Sequence, residues 1–516
     1  MESERREVFF ALIAPIGINL DAVEKSLSTA LKNVAYTTNS VRLTDIFSTI
    51  DVYDTSFTDE YERYTKLIPA GDALCKDTKR NDILALYGIQ MLNKHDPREE
   101  NSEIPKNVAH VFRQIKRVEE VHTFKEVYGR NIIFLSCYSS KQNRIDYLVK
   151  KLLKTRRGQN KVELESMALK IMSLDENERE KPEGQRVLDC YPFADFIIDC
   201  TDNSSLTRSC DRLINIYFGH PFISPTKDEY CSYFANAASY RSLDLSRQVG
   251  AAIFSDTCEI ISLGCNEVPK AGGGTYWSES DSDHRDYAIG HDSNQQVKED
   301  MARDALVRLQ NGWLSEKYSD LSPNQLSFRA FEAPGAPLKS AMISDVIEYG
   351  RMVHAEMNAI TDAARSRKST QNATIYCTTM PCHLCTKLII ASGIKRAVYL
   401  QPYPKSLVDE LFTDSVSIDE KTSDGRVIFE TLKGVTPNGF RIAFRKTKRR
   451  KNKDGTALSW DPLKSSPTFL SVFPYYRNLE IAAGADLSKA LSGILKVGPS
   501  MKKTRDRPSS PARKTQ

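Results

Sequence analysis

Val353-His354-Ala355-Glu356-Met357-Asn358-Ala359-Ile360 and, with twenty-four residues between Glu356 and its first proline, Pro381-Cys382-His383-Leu384-Cys385 are the stretches that decide how this chain folds. Apolar spacing predicts a helix over Ala355–Arg365, a β-rich run predicts a strand at Thr374–Cys377, a second helix should span Cys382–Ser392 and a second strand Arg396–Leu400. That alternation predicts an α/β/α layered sandwich. A Cys-x-x-Cys at the start of a helix brings two thiols to one point, where the helix N-terminus favours thiolate. Pro381 suits such a start, because the first turn leaves its missing N–H unpaired anyway. With His354 the cysteines form a His/Cys/Cys zinc set of three protein ligands, and the fourth tetrahedral position stays open. Glu356, two residues beyond the histidine, reaches that position without ligating and is placed to take and give protons. A purely structural zinc site would need a fourth protein ligand; His383 is the candidate, but it lies between the cysteines, where helical geometry turns it aside.

Upstream, Gln248–Ser255 and Glu259–Asn266 are β-rich runs joined by Asp256-Thr257-Cys258, a hairpin signal, and Glu229–Arg247 reads as helical. Ala271–Asn294 is rich in Gly, Ser and Asp and reads as a long excursion. Its Asp281, Asp283, His284, Asp286, His291 and Asp292 could hold a second metal or a Mg²⁺ beside phosphates, but no ligand spacing there is diagnostic and a solvated acidic loop fits better. Character changes near Pro221–Pro225. Before it, Val8–Ile13 is an apolar strand-like run, followed by a turn and a helix with Leu20, Val23, Leu27 and Leu31 on one face. Further strands read at Asn131–Cys137 and Phe193–Ile198, with loops at Asn93–Pro105, Lys154–Lys161 and Asp175–Gly184. The expected domains are 1–225, 226–445 and a basic, partly disordered extension over 446–516.

Charge sharpens that division. The net charge of +5 equals the charge of Lys502–Gln516 alone, with six basic residues and one acidic, so the rest is formally neutral. A neutral body is poor equipment for a polynucleotide substrate. Arg441–Lys453 adds eight basic residues; the two basic runs could engage RNA or simply be solvated. Eleven cysteines, an odd number spread over 516 residues, suit thiols or metal ligands better than a disulfide framework. The acidic start, MESERREVFF, is unlike a signal peptide, and no run of 18 apolar residues occurs. A cytoplasmic location is expected.

The H-x-E…P-C-x-x-C arrangement is shared by zinc deaminases of cytosine and adenine. The quoted stretches, with Ala391-Ser392-Gly393-Ile394, Arg247-Gln248-Val249-Gly250-Ala251 and Asn266-Glu267-Val268-Pro269, closely resemble the deoxycytidylate deaminase family over roughly Asp228–Tyr403. A closer likeness, to bacterial anti-phage dCTP deaminases with an N-terminal P-loop kinase-like domain, rests on Arg241–Gly250 and on Asn266–Lys270 with Gly272-Gly273-Gly274 and Tyr276-Trp277. The resemblance implies a P-loop kinase-like α/β domain followed by a cytidine-deaminase-like sandwich, and zinc-dependent deamination of dCTP and dCMP that depletes a phage's nucleotide pool. It also implies homo-oligomers and control by a nucleotide or a small RNA. Alternatives are a housekeeping dCMP deaminase, a polynucleotide cytosine deaminase and a nucleotide-sensing protein.

By position the resemblance gives Asn266 the deoxyribose 3′-hydroxyl, the Ala355 N–H the pyrimidine O2, and Tyr403 a place near base and sugar. Arg241, Arg247 and Lys270 are the nearest cations for the phosphates; for Asn266 and the arginines, turn-forming and surface roles remain open. Against a G-x-x-x-x-G-K-[ST] phosphate loop, the chain reads Ala14-Pro15-Ile16-Gly17-Ile18-Asn19-Leu20-Asp21. Leu20 replaces the lysine and Asp21 the hydroxyl, so no phosphoryl transfer is expected. The loop is left either to bind a regulatory nucleotide through backbone N–H groups or to serve structure alone.

Overall fold

The computed structural model describes residues 6–95, 106–176, 183–280, 282–310, 312–339, 341–403, 406–419, 424–446, 449–469 and 476–495. The basic run Lys502–Lys514, Asp281 and most of the loop expected at Asn93–Pro105 lie outside them. The chain forms two compact units, residues 1–223 with 442–516, and 224–441.

The first unit is doubly wound. Its strands are β1 (Val8–Ile13), β2 (Thr37–Arg42), β3 (Val108–Ile115), β4 (Ile132–Tyr138) and β5 (Phe196–Asp199). They pair in the order β5-β4-β1-β3-β2, every pair parallel. Helices α1 (Leu20–Asn33), α2 (Glu60–Thr78), α3 (Ile83–His95), α4 (Val118–Tyr128), α5 (Lys141–Thr155), α6 (Lys161–Glu176) and α7 (Asn203–Tyr217) complete it. Central β1, VFFALI, is buried at all six positions, as a strand covered on both faces must be. β2, TTNSVR, is a polar edge strand with no alternation to announce it. α1 starts where Asn19 accepts the Ala22 N–H, and it buries Val23, Leu27 and Leu31.

Residues 446–516 do more than extend the chain. A helix over Tyr476–Leu495 places Tyr476, Ala483 and Leu487 in the first unit's core. The Tyr476 ring meets Phe9 edge-on at 5.4 Å, and its hydroxyl donates to Glu7 at 2.9 Å. Those three positions, spaced seven and four apart, form one stripe of the helix.

The second unit carries the quoted motifs. Its strands β6 (Gly250–Phe254), β7 (Ile260–Cys265), β8 (Thr374–Thr379), β9 (Arg396–Gln401), β10 (Val416–Ile418) and β11 (Val427–Thr431) form one sheet in the order β10-β11-β9-β8-β6-β7. β6 is antiparallel to both neighbours, and the pairs from β8 to β10 are parallel. Helices α8 (Lys227–Ser239), α9 (Ser293–Gln310), α10 (Pro323–Phe331), α11 (Ala355–Arg365) and α12 (His383–Ala391) accompany it. A Cβ on Gly250 would strike Ala235 and Ser239 of α8, while one on Gly264 would strike Ala355 and Ala359 of α11. Gly264 pairs with Ala251, and neighbours along β6 point to opposite faces. So α8 and α11 cover opposite faces of the sheet, the three-layer arrangement expected.

Candidate active site

Three strand ends and two helix starts build one pocket. His354 is the N-cap of α11 and Cys382 the N-cap of α12, with Cys385 in that helix's first turn. Pro381 therefore stands outside the helix rather than at its first position, because Cys382 itself takes the extended capping conformation. His354 Nδ1 lies 3.4 Å from Cys382 Sγ and 3.3 Å from Cys385 Sγ. A tetrahedral zinc with Zn–S near 2.3 Å and Zn–N near 2.0 Å separates such donors by about 3.5 Å. The three residues thus fit the ion, and they are the one group of His, Cys, Asp or Glu among the described residues with donor atoms close enough to hold a metal.

Electrostatics agree with that fit. The Cys385 side chain and then His354 hold the Cys382 thiol down to about 4, that is, as thiolate. Burial pushes Cys385 well up, and hydrogen bonding and charge from Cys382 push it further. A thiolate beside a thiol and an imidazole nitrogen is a donor set that a cation takes up by displacing the remaining thiol proton. His383 is turned aside as expected, with Nε2 3.4 Å from Glu348 Oε1.

Glu356, 4% exposed, lines the same pocket of about 180 Å³. Burial, then the Cys382 charge, raises its carboxyl above the ordinary glutamate range. Ala355 opens α11, so its N–H has no partner within the helix, and it also lines the pocket. Asn266 is there too, with both ends engaged: its Oδ1 accepts the Val249 N–H at 2.7 Å and its Nδ2 donates to the Arg247 carbonyl at 2.9 Å. It clamps the segment that carries Arg247, whose guanidinium lies 4.8 Å from the centre of the Tyr403 ring; both residues line the pocket.

Arg241 and Lys270 are elsewhere. They line a separate cavity of about 320 Å³ with Arg365, Gly273 and Trp277. The Arg241 guanidinium lies 3.5 Å from the Trp277 ring centre and hydrogen-bonds to Thr275, which fixes the glycine-rich loop instead of reaching the catalytic pocket. The acidic excursion is committed to protein partners: Asp283 to Arg285 and Tyr287, Asp286 to Arg351, and Asp292 to the first N–H groups of α9. Asp244, Asp292, Asn294, Ile347 and Gly350 also line the catalytic pocket. Of these, the sequence offered only Asp292, as one of the excursion's acids that could sit beside phosphates; for Asp244 it signalled no more than an Asx turn, which occurs anywhere.

Fold and donor set together define a candidate zinc centre with a buried carboxylate, Glu356, two residues from its histidine. Residues 225–401 match the family described as the cytidine and deoxycytidylate deaminase zinc-binding region. Deoxycytidylate deaminase of Enterobacteria phage T2 is 50% identical over 54 residues, 10% of this chain and 29% of that protein. ComE operon protein 2 of Bacillus subtilis is 37% identical over 90 residues, 16% of this chain and 47% of that protein. Among solved structures, dCMP deaminase from the cyanophage S-TIM5 in apo form aligns with 40% of this chain and 99% of its own, at 17% identity and a TM-score of 0.21. The chain spans under a third of the length of the phage T2 relative it matches. Among the described residues no helix is long and apolar enough to cross a membrane.

Proposed function

We propose that the second unit hydrolytically deaminates free deoxycytidine nucleotides, dCTP and dCMP, to dUTP and dUMP with release of ammonia. The observation that carries this is the convergence of His354, Cys382, Cys385 and buried Glu356 in one pocket, inside a region that matches the deaminase family. Zinc, when bound, supplies a Lewis acid that makes water a usable nucleophile near neutral pH. Glu356 takes one proton of the attacking water and delivers it to ring N3, then takes the proton of the hydroxyl now on C4 and passes it to the amine, so that ammonia leaves as the C4–N bond breaks and C4 keeps the oxygen as a carbonyl. Burial raises this carboxyl above the ordinary glutamate range, which favours its holding a proton between the two transfers. In this reading, which the resemblance supports, the Ala355 N–H holds the pyrimidine O2, Asn266 holds the sugar while it clamps Arg247–Val249, and Arg247 with Tyr403 holds phosphate and sugar.

The relatives named deoxycytidylate deaminase support a deoxynucleotide substrate, and the resemblance of Arg241–Gly250 and Asn266–Lys270 supports dCTP and a role in exhausting a phage's nucleotide pool. The parallel order around β1 supports a kinase-like scaffold for the first unit, with Leu20 and Asp21 in place of the residues phosphoryl transfer needs. Purified protein given dCTP, dCMP, CTP and cytidine separately should release ammonia from the deoxynucleotides. Turnover of cytidine alone would overturn the nucleotide assignment.

A further inference from the structure

The loop after β1, Ala14–Asn19, lies where the strand order of the first unit reverses, the place at which doubly wound sheets take ligands. Several of its polar groups are engaged within the protein. The Ile16 N–H donates to Oδ2 of Asp175 at 2.6 Å, across 159 residues of sequence. Pro15 has no N–H to offer, and the Ile18 and Leu20 N–H groups turn back onto the Pro15 and Ile18 carbonyls. Lys116, the cation beneath the loop, lies 2.7 Å from Asp175 Oδ1 and donates to the Ala14 carbonyl at 2.5 Å. Arg144 donates to the Ile16 carbonyl at 2.8 Å and pairs with Glu176 at 2.7 Å. Asp175 is 0% exposed. Gly17 has φ +96°, and a Cβ there would lie 2.6 Å from Arg144 Cβ, so α5 is pressed against the loop.

We propose that this loop is an oxyanion site filled by the chain's own carboxylate. Asp175 stands where a phosphoryl oxygen would accept the loop's N–H, and Lys116 supplies the counter-charge. While Asp175 is in place the first unit takes no phosphorylated ligand here, because an incoming phosphate would strand a buried carboxylate without its partners. The loop ties α6 to β1 as a structural joint, which decides between the two uses its sequence leaves open. The inference is independent of the deaminase reading.

Tripolyphosphate is the probe, titrated calorimetrically into the full-length, zinc-loaded protein. Because other basic sites can bind it, the quantity read is the binding that Lys116→Met removes. In the native background Lys116→Met should change nothing. Asp175→Ala frees an amide and a cation together, so it should raise affinity about tenfold or more, and adding Lys116→Met to it should abolish that gain. A native protein that loses binding with Lys116→Met would overturn the proposal. So would an Asp175→Ala protein that folds, keeps its zinc and binds no better. A second measurement needs no variant. Deuterium uptake by the native segment spanning residues 8–20 should be the same with and without tripolyphosphate or ATP; a ligand-dependent change there would also overturn the proposal.

Discussion

Glu356 stands beside three metal donors whose ligand atoms all lie within 4.8 Å of one another, yet their removal should fail differently. Glu356→Gln keeps the shape of a buried side chain and removes none of the three metal donors, so the protein should retain its zinc. It should lose turnover by about 10²- to 10⁴-fold, the usual worth of a positioned acid–base group. Ammonia release and metal content on the same preparation check both halves; a variant that had lost its zinc would say nothing about proton transfer. Cys385→Ala removes a ligand and leaves Cys382 thiolate beside His354 with an incomplete set. Zinc content should fall well below one per chain, turnover with it, and the second unit should unfold earlier, because an ion that binds only the folded state stabilises it by mass action. A Cys385→Ala protein holding a full zinc would remove Cys385 from the ligand set. The resemblance gives Asn266 to the sugar, and the folded chain puts it in the pocket wall with both its amide ends fastening the Arg247–Val249 backbone.

At the scale of elements, the decisive contact is β7 against α11. A Cβ on Gly264 would come within 2.2 Å of the Ala355 carbonyl oxygen and 2.5 Å of the Ala359 nitrogen, backbone atoms with no side chain to swing away. Gly264→Ala should therefore shift α11 bodily, at about 1–3 kcal/mol in stability. His354 and Glu356 ride on that helix, and a misplacement near 1 Å should cut kcat/KM by about 10²-fold. Wild-type turnover from a Gly264→Ala protein would show that α11 can yield without disturbing the site. That packing is invisible in sequence, where Gly264 is simply a residue in a β-rich run. What could be read were elements with a strong period or an unbroken apolar run: β1, the β6–β7 hairpin, α11, β8, α12 and β9, with their ends displaced by a residue or two. β2 and β10 carry no such signal, one being a polar edge strand and the other three residues long. α9 has only Ala302 and Leu306 buried in eighteen residues, too thin a stripe to mark a helix. Because α9 and the segment leading to His354 escaped notice, so did the part of the pocket wall formed by Asn294, Ile347 and Gly350.

Across the whole molecule two units with separate cores must each remain folded, and they should answer different perturbations. Zinc acts on the second unit. In the first, acidity acts through Asp195, whose carboxylate accepts the Phe134 N–H at 2.9 Å. Burial lifts its carboxyl to about 6 from an ordinary 3.8, against the opposing pull of that hydrogen bond and of Lys125. A carboxyl raised on folding contributes stability that is complete below its unfolded value and is lost as pH climbs through its folded one. The first unit should therefore lose stability between about pH 4 and pH 6, by no more than about 3 kcal/mol at 1.36 kcal/mol per unit. Part of the Asp195 residue reaches solvent, so the lower half of that range is expected. Asp195→Asn keeps an acceptor for Phe134 and cannot ionise. Its stability relative to wild type should rise by about 1–2 kcal/mol between about pH 4.5 and about pH 7.5. Urea unfolding of the full chain at both pH values measures this, reading the transition that a zinc chelator leaves in place. Equal differences between the two proteins at the two pH values would mean that Asp195 ionises in the folded unit as freely as in the unfolded chain.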